Sequence, residues 1–442
     1  MSAATPARRC ALSVLALAER EGSYVRDLLD AVQRGEGACP VMEPREAAFC
    51  LRLSLGVTAT SGCLDEALNA HLRRPRDVSP RVRQALRIAA FELIYLGTAP
   101  EIAVSQGVEL VRSQARAASG LANAVLHRVA RDRAAFLEAA DAAPAERDLV
   151  AAARRAGLPR WLARACRAAA GEAAPGLIAS ALEQAPAAAC VNPRRAADAL
   201  PGLGAPADGF PSGTVIVDDL SALVRSGAPA AGDVVISDLH AQEVALAAVA
   251  PGTCLEIGAG RGTKTFVMAA AAARAGIARE HVAVELAEGK CRENRRRLEA
   301  ACLAGGIEVI AGDATDLDRA LAPRDADGRA RFDRVLVDAP CSGTGTMRRH
   351  PEICWRLAPE DVTGALPALQ GRLLREAAAR VAPGGRLVYA TCSVLPAEND
   401  EVVDAFLSSA AGAAFRELRR SQTFPAPGAF DGHFFAELAR EG

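Results

Sequence analysis

Aromatic side chains and lysine are both scarce in this chain. Aromatic residues make up 4% of its 442 residues although half of all residues are hydrophobic, so a large core would consist mainly of Ala, Leu and Val. Lys264 and Lys290 are the only lysines among the basic residues. Because Arg stands almost everywhere else, a retained lysine indicates a task that needs a compact ammonium group.

Further absences narrow the class of protein. The chain has no uninterrupted apolar run long enough to span a membrane and no cleavable apolar segment at its amino terminus. This predicts a soluble, cytoplasmic protein without a membrane partner. None of the 12 cysteines forms a Cys-x-x-Cys pair, so zinc-knuckle and thioredoxin-like sites lack support and no metal is expected. We expect the thiols to stay reduced, most of them as small buried residues.

Charge is unevenly distributed although the net charge is −1. Residues 1–135 contain 18 Arg and 14 Asp or Glu, a balance of +4, which leaves −5 for the remainder. Six arginines of this segment lie close together in the sequence: Arg73, Arg74, Arg76, Arg81, Arg83 and Arg87. They either bind phosphate groups or form a solvated helix face.

Hydrophobic periodicity divides the chain into three predicted parts. Residues 1–135 form an all-helical domain, residues 136–230 a connecting subdomain with short strands such as 214–217, and residues 231–442 a domain of alternating strands and helices. The helices predicted in the first part cover residues 7–19, 24–33, 45–56, 63–72, 82–96, 103–112 and 117–131.

The third part is predicted to be α/β with a mainly parallel, doubly wound sheet. Its predicted strands cover residues 253–257, 282–285, 308–311, 335–338 and 386–390, with helices over 265–274, 290–301 and 369–381. A turn at Pro383-Gly384-Gly385 is expected to lead into the last strand.

Two cysteines follow predicted strands of this sheet. Cys341 comes directly after Asp338-Ala339-Pro340, and Cys392 stands between Thr391 and Ser393. Ligands of open α/β sheets bind at the carboxyl ends of the strands, so we expect both thiols to reach one crevice. The alternative is two structural cysteines, which the tight turn after Cys341 argues against.

A glycine-rich loop, Gly258-Ala259-Gly260-Arg261-Gly262-Thr263-Lys264, separates the first strand from its helix. Its spacing fits neither a nucleoside triphosphate loop nor a dinucleotide loop, and a turn without a ligand remains an alternative. Glu285 ends the next strand, where a carboxylate can hold ribose hydroxyls, and Asp313 follows the third strand at the position of an adenine edge. Together with Asp338, these groups favour S-adenosylmethionine, which carries no pyrophosphate.

A methyl donor beside two thiols suggests methylation of carbon 5 of cytosine. That carbon is a poor nucleophile until a thiolate adds to carbon 6, and a second polar group can then assist release of the adduct. The attacking thiol needs a lowered pKa, to which Lys264 and the sulfonium charge can contribute. Asp338 would hold the cytosine amino edge and ring nitrogen.

These residues resemble the RNA 5-methylcytosine methyltransferase family of the Sun/Nop type. The run Asp338-Ala339-Pro340-Cys341-Ser342-Gly343-Thr344-Gly345 looks like its fourth motif, and Thr391-Cys392-Ser393 with Glu398-Asn399 looks like its sixth. The resemblance implies a class I methyltransferase with a Rossmann-like sheet. It also implies that Cys392 is the nucleophile and that Cys341 serves product release. Rival hypotheses are an RNA-binding assembly factor with a decayed catalytic domain and a DNA cytosine methyltransferase, in which the cysteine after proline attacks.

The first motif departs from that family pattern. The family usually has Ala-Pro-Gly-Gly-Lys-Thr where this chain has Gly260-Arg261-Gly262-Thr263-Lys264-Thr265, and Glu285 stands where Asp is usual. The expected catalytic residues are Cys392, Cys341, Asp338 and Lys264. The expected S-adenosylmethionine contacts are Gly258, Ala259, Gly260, Arg261, Gly262, Thr263, Lys264, Glu285, Asp313 and Asp338.

Residues 1–135 resemble NusB, an RNA-binding protein family. The likeness is carried by residues 81–96 and by the run Leu121-Ala122-Asn123-Ala124-Val125-Leu126. A NusB-like domain followed by this catalytic domain is the order found in the family branch that acts on small-subunit (16S) ribosomal RNA. The resemblance therefore implies 16S rRNA, or a partly assembled small subunit, as the partner of a monomeric enzyme.

Overall fold

The structure is a computed structural model that describes residues 3–33, 39, 42–195, 200–322 and 330–442. It contains two compact units. The first, the helical unit, comprises Met1–Gln184 and Met347–Leu357, and the second, the sheet unit, comprises Ala185–Thr346 and Ala358–Gly442. The predicted connecting subdomain 136–230 is thus divided between the two units.

The helical unit is built from amphipathic helices that enclose a core of Ala, Leu and Val side chains. Proline opens four of these helices at their first turn, where its missing N–H costs no hydrogen bond and its fixed φ suits the helix. The helices are α1 (Pro6–Glu21), α2 (Val25–Gln33), α3 (Pro44–Asn69), α4 (Pro80–Ile94), α5 (Pro100–Gln114), α6 (Ser119–Leu137), α7 (Arg147–Ala156), α8 (Arg160–Ala170) and α9 (Ala174–Ala179).

One long helix, α3, replaces the two helices predicted over residues 45–56 and 63–72. Its glycines are needed for packing rather than for a turn: a Cβ atom at Gly56 would lie 2.0 Å from the Phe91 ring, and one at Gly62 would lie 1.9 Å from the Trp355 ring. By length and composition α3 would also suffice to cross a membrane. Its buried residues, among them Leu53 and Leu64, belong to the helical core, as in soluble core helices that pass the same test.

Trp355 belongs to the segment Met347–Leu357, which the chain contributes to the helical unit between two stretches of the sheet unit. The segment contains the short helix α16 (Ile353–Arg356). The Trp355 indole Nε1 donates to the Ala59 carbonyl at 2.7 Å, and the Glu352 carboxylate accepts from the Val25 N–H at 2.8 Å. These bonds fix the segment within the unit.

Arg154 explains why the helical unit extends beyond the predicted boundary at residue 135. Its side chain is 2% exposed and forms ion pairs with Glu66 of α3 at 2.8 Å and with Asp141 at 2.5 Å. The guanidinium also stacks on the Phe136 ring, 4.3 Å from the centroid. Leaving so buried a cation unpaired would cost several kcal/mol, roughly 3–5. Arg154 therefore joins α7 to the preceding helices.

Cys10 and Cys39 differ from the expectation that all thiols are reduced. They are paired as a disulfide, with Cα atoms 5.5 Å apart and a sequence separation of 29. Cys10 lies on the buried side of α1, and the chain returns to it after α2.

The sheet unit begins with a small antiparallel sheet of strand order β2-β3-β1-β4. Its strands are β1 (Ala187–Val191), β2 (Leu203–Pro206), β3 (Thr214–Val217) and β4 (Val234–Ile236), with α10 (Leu220–Arg225) and α11 (Ala228–Ala231) before the last strand. The buried Asn192 side chain donates to the Gly232 and Ala301 carbonyls at 2.8 Å, which ties this sheet to the larger one.

The second sheet has seven strands in the order β10-β11-β9-β8-β5-β6-β7. The five strands from β7 to β9 are parallel, and β11 and β10 continue antiparallel beyond β9. This order confirms the predicted class I methyltransferase fold with a Rossmann-like, doubly wound sheet. The strands are β5 (Gly252–Ile257), β6 (Arg279–Glu285), β7 (Ile307–Ala311), β8 (Phe332–Asp338), β9 (Val381–Thr391), β10 (Phe415–Gln422) and β11 (Phe434–Arg440).

Helices cover this sheet, and apolar side chains on both of its faces pack against them. The helices are α12 (Leu239–Ala247), α13 (Thr263–Ala275), α14 (Glu288–Ala300), α15 (Leu317–Leu321), α17 (Leu366–Ala379) and α18 (Asp400–Leu407). The expected turn at Pro383-Gly384-Gly385 is instead an irregularity inside β9, where Gly384 adopts a φ of +73° and the pairing with β8 shifts register.

Candidate functional site

The two predicted cysteines lie side by side in the sheet unit. β8 and β9 are neighbouring parallel strands, with Asp338 opposite Ala390, so the turns after both strands start at the same edge. The Cys341 and Cys392 sulfur atoms are 3.3 Å apart, and both residues are half-buried. The prediction from strand order therefore places the two thiols correctly.

The two thiols differ in acidity. The hydrogen bond from Cys341 lowers the pKa of Cys392 against the opposing effect of burial, and Lys264 and Thr346 lower it further. The same hydrogen bond, burial and the charges of Cys392 and Glu398 raise the pKa of Cys341 well above its ordinary value. These directions favour ionisation of Cys392 over Cys341, and either sulfur can be the hydrogen-bond donor.

Lys264 and Asp338 form an ion pair beside the cysteines. The Lys264 ammonium lies 2.7 Å from Asp338 Oδ2, and both side chains are mostly buried. Burial alone would lower the pKa of Lys264, but Asp338 and Cys392 raise it, so the ammonium stays charged. The first turn of α13 and the end of β8 therefore hold opposite charges next to Cys392.

The glycine-rich loop brings β5 close to β8. Gly258, Gly260 and Gly262 all have positive φ, and a Cβ atom at Gly258 would lie 2.3 Å from the Asp338 carbonyl oxygen. A Cβ atom at Gly260 would meet nothing closer than 3.9 Å, so the space in front of this residue is open. Glycine is required at Gly258 for the close approach, while Gly260 borders room for a ligand.

The predicted acids lie at successive strand ends, but they differ in their partners. Glu285, at the end of β6, accepts from the N–H groups of Gly260 and Ala287 at 3.0 Å, so its carboxylate holds the glycine loop. Asp313 follows β7 and is exposed, and one of its oxygens accepts from the Thr315 backbone and hydroxyl. Hydrogen bonds from Thr315 lower the pKa of Asp313.

Two of the loop positions that differ from the family pattern, Arg261 and Thr263, bind residues of α14. Arg261 is exposed and pairs with Glu293 of α14 at 3.1 Å, and the Thr263 hydroxyl accepts from Arg297 at 3.2 Å. Ala259 is buried, with its N–H on the Val284 carbonyl at 3.1 Å. Arg261 and Thr263 therefore fasten the loop to α14.

Two residues beside the cysteines were not among the predicted site residues. Thr346 forms a side-chain hydrogen bond that lowers the pKa of Cys392. Glu398 is fully buried and accepts hydrogen bonds from the residues that follow both cysteines. Glu398 was among the residues that carry the family resemblance, but the sequence did not indicate which groups its carboxylate binds.

The six arginines of the cluster in the helical unit differ in their hydrogen-bond partners and in their exposure. Arg87 binds Asp65 in a bidentate arrangement at 2.5 and 2.9 Å, and Arg83 donates to Asn69 and the Pro75 carbonyl. The remaining members of the cluster are exposed: Arg73, Arg74, Arg76 and Arg81. Arg74 forms an exposed ion pair with Asp77 at 3.8 Å, and all four guanidinium groups are accessible to phosphate groups.

Family models and relatives agree with this organisation. Residues 243–438 match the family described as 16S rRNA methyltransferase RsmB/F, and residues 5–131 match the NusB family. Ribosomal RNA small subunit methyltransferase B of Thermus thermophilus is 33% identical over 454 aligned positions, covering 100% of this chain and 99% of that protein. The chain belongs to the 16S rRNA methyltransferase RsmB/F family. It is an S-adenosylmethionine-dependent rRNA methyltransferase with an amino-terminal NusB region.

A second relative supports the RsmB/F assignment over the same length, and solved structures share the fold. The protein of the same name from Xanthomonas campestris is 30% identical, covering 99% of this chain and 98% of its own. Among solved structures, PH0851 has a TM-score of 0.77 at 19% identity and covers both chains completely. A methyltransferase homologue from Pyrococcus horikoshii has a TM-score of 0.55 at 19% identity and covers 68% of this chain and all of its own. These two structures share the fold.

Proposed function

We propose that this enzyme transfers a methyl group from S-adenosylmethionine to carbon 5 of a cytidine in 16S rRNA through a covalent bond between Cys392 and carbon 6. The observation that carries the proposal is the pair of sulfur atoms 3.3 Å apart beside the ion pair of Lys264 and Asp338. Structural cysteines packed in a core have no need of charged neighbours. A reaction with one nucleophile and one partner for release does.

The strand ends around the open space at Gly260 fit an adenosine cofactor. S-adenosylmethionine supplies an electrophilic methyl carbon at its sulfonium when bound. The glycine loop from Gly258 to Lys264 would face its methionine part, Glu285 its ribose and Asp313 its adenine edge. Glu285 already bonds the Gly260 N–H at 3.0 Å, so its carboxylate reaches the loop that borders the cofactor.

Cys392 adds to carbon 6 as the thiolate, and the electron pair of the carbon 5–carbon 6 bond becomes available at carbon 5. Carbon 5 would then bond the methyl carbon as the bond between that carbon and the donor sulfur breaks, and the electron pair of the broken bond would stay on sulfur, leaving a neutral thioether. The ion pair of Lys264 and Asp338 places a positive charge near the thiolate and a carboxylate where the cytosine amino group can donate to it. Restoring the aromatic ring requires loss of the proton at carbon 5 and departure of the Cys392 thiolate.

The pKa of Cys341 responds to the bond that Cys392 forms. The hydrogen bond to Cys392 and the charge of Cys392 are two of the main causes that raise it. Once the Cys392 sulfur is bonded to carbon 6 it carries no charge, so both causes vanish and the pKa of Cys341 falls. Burial and the Glu398 charge still raise that pKa, so Cys341 would first pass its proton to water, and its thiolate would then accept the proton from carbon 5.

The helical unit would bind the RNA substrate. Its NusB-type helices present the exposed Arg73, Arg74, Arg76 and Arg81, whose affinity for phosphate groups would fall with salt. The target cytidine would have to leave its stack to reach the half-buried thiols. We propose a monomeric, cytoplasmic enzyme acting on free 16S rRNA or on a partly assembled small subunit.

Bisulfite sequencing of 16S rRNA tests this function directly. RNA from cells that carry the gene should retain one cytidine as methylated, and RNA from cells without the gene should read it as unmodified. Re-expression of the wild-type chain should restore the signal, and re-expression of the Cys392→Ala chain should not. An unchanged methylation pattern in cells without the gene would contradict the proposal.

A further inference from the structure

Both active-site cysteines are followed by a serine, and both serines bind the same carboxylate. The Ser342 hydroxyl donates to Glu398 Oε2 at 2.5 Å, and the Ser393 hydroxyl donates to the same oxygen at 2.6 Å. The other oxygen, Oε1, accepts from the Ser342 N–H at 2.8 Å and from Gln370 Nε2 at 3.0 Å. All three residues named with Glu398 are buried, and Glu398 itself is 0% exposed.

We propose that Glu398 is a positioning residue that sets the separation of the Cys341 and Cys392 sulfur atoms by clamping the serines that follow them. The inference rests on the function proposed above, and it concerns a residue that is not one of the proposed catalytic residues. Glu398 touches neither thiol in this arrangement; it acts through Ser342 and Ser393.

The bonding pattern supports a clamp rather than a single contact. The turn after β8 and the turn after β9 are separate chain segments, and the Glu398 carboxylate is bonded to both. Its own backbone is fixed because the Tyr389 hydroxyl donates to the Glu398 carbonyl at 2.6 Å. The turn is closed further by Gly345, whose N–H donates to the Cys392 carbonyl at 2.9 Å. Only glycine fits there, since a Cβ atom would lie 2.9 Å from that carbonyl oxygen and 2.1 Å from the Gly432 carbonyl oxygen.

The donor set also explains why a carboxylate is used. An ionised carboxylate only accepts hydrogen bonds and has about four lone-pair directions, and here four donors fill them. A glutamine at this position would offer one accepting oxygen and an NH₂ group that cannot accept from a serine hydroxyl. The negative charge contributes as well, because it raises the pKa of Cys341.

The reaction is sensitive to such a clamp because both sulfur atoms must reach one cytosine ring. Displacement of a reacting group by about 1 Å typically costs on the order of 100-fold in rate. Loss of the shared carboxylate frees both turns at once. We therefore expect Glu398→Gln to lower kcat by about 10- to 100-fold while S-adenosylmethionine binding changes by less than about twofold.

The decisive experiment measures the two thiols without RNA. Wild-type protein and Glu398→Gln are alkylated with iodoacetamide over a range of pH, and mass spectrometry follows Cys341 and Cys392 separately. In the wild type, Cys392 should react at lower pH than Cys341. In Glu398→Gln the difference between the pH values at which the two thiols react should become smaller, because removal of the negative charge lowers the pKa of Cys341. If Glu398→Gln kept both the wild-type pH difference between the two alkylation reactions and the wild-type kcat, the proposal would be overturned.

Two further variants separate positioning from general stability. Glu437→Gln alters another buried glutamate of the sheet unit, which pairs with Arg386 and Arg419 away from the cysteines. Glu437→Gln should leave kcat and the pH difference between the two alkylation reactions unchanged. Equal effects of Glu437→Gln and Glu398→Gln would reject a specific role of Glu398.

Ser342→Ala combined with Ser393→Ala removes the two hydroxyl donors and should reproduce the loss of kcat even if Glu398→Gln fails to fold. Because alkylation needs no RNA, failure of the proposed RNA chemistry would leave the thiol result intact.

Discussion

The Lys264 ammonium stands 2.7 Å from the Asp338 carboxylate and is one of the charges that lower the pKa of Cys392. One of only two lysines in the chain is thus retained at the centre of the site. A guanidinium is larger and planar, so it cannot place the same compact point charge in this mostly buried position beside Asp338.

Replacing Lys264 should move the pH dependence of the reaction. In Lys264→Met, loss of the positive charge raises the pKa of Cys392, so the thiolate forms at higher pH and the acidic limb of the kcat profile shifts upward. At pH 7 we expect kcat to fall by at least about tenfold, since one pKa unit changes the thiolate fraction tenfold. Activity should recover partly as the pH rises. An acidic limb that stays in place would mean that Lys264 does not act on the thiol.

Cys392→Ala should abolish methyl transfer. The variant lacks the atom that bonds carbon 6, but its glycine loop, Glu285 and Asp313 are unchanged. Isothermal titration should therefore give an S-adenosylmethionine affinity near that of the wild type, while transfer of labelled methyl groups to 16S rRNA falls to background. Turnover above background in this variant would assign the attack to another group.

Cys341→Ala should trap the covalent intermediate. Attack by Cys392 and methyl transfer can proceed, but the group that takes the carbon 5 proton is missing, so the protein stays bonded to RNA. A band of reduced mobility on a denaturing gel should accumulate and disappear after nuclease digestion. In this variant, Cys392 should react with iodoacetamide only at higher pH, because the hydrogen bond from the Cys341 thiol is lost. Normal turnover without a shifted band would remove Cys341 from product release.

RNA affinity should depend on the exposed arginines and not on those that are paired with acidic residues of the protein. Arg81 is exposed, whereas Arg87 is held by Asp65. In Arg81→Ala, the slope of log affinity for 16S rRNA against log salt should fall by about 0.7–0.9, the value for one phosphate contact. Arg87→Ala is the matched comparison and should leave the slope unchanged while lowering the melting temperature. Identical slopes for Arg81→Ala and the wild type would place the RNA elsewhere.

The sequence was sufficient for the features that depend on strand order. Apolar, β-branched runs identified β8 and β9, and the rule that parallel strands end at one edge brought Cys341 and Cys392 together. The class of fold followed from the alternation of strands and helices. These predictions need only local composition and the geometry of a parallel sheet.

Features that depend on distant packing could not be predicted in the same way. The helix α3 runs through residues 57–62 because Trp355, almost 300 positions further on, fills the space at Gly62. The strand β10 carries charged residues such as Arg416 and Glu417 and shows no apolar signature, so it was missed. The part played by Glu398 depends on Ser342, which precedes it by 56 positions.

The segment Met347–Leu357 has a consequence for the gene as well as for the protein. The codons that complete the helical unit lie between those of Cys341 and Cys392, inside the region that encodes the catalytic sheet. A gene fragment ending near codon 184 therefore encodes helices that lack Trp355, and it exposes the site over Gly62 that this side chain fills. Exchange of the helical unit between relatives would need three simultaneous crossovers, after codons 184, 346 and 357, so the two units are expected to be inherited together.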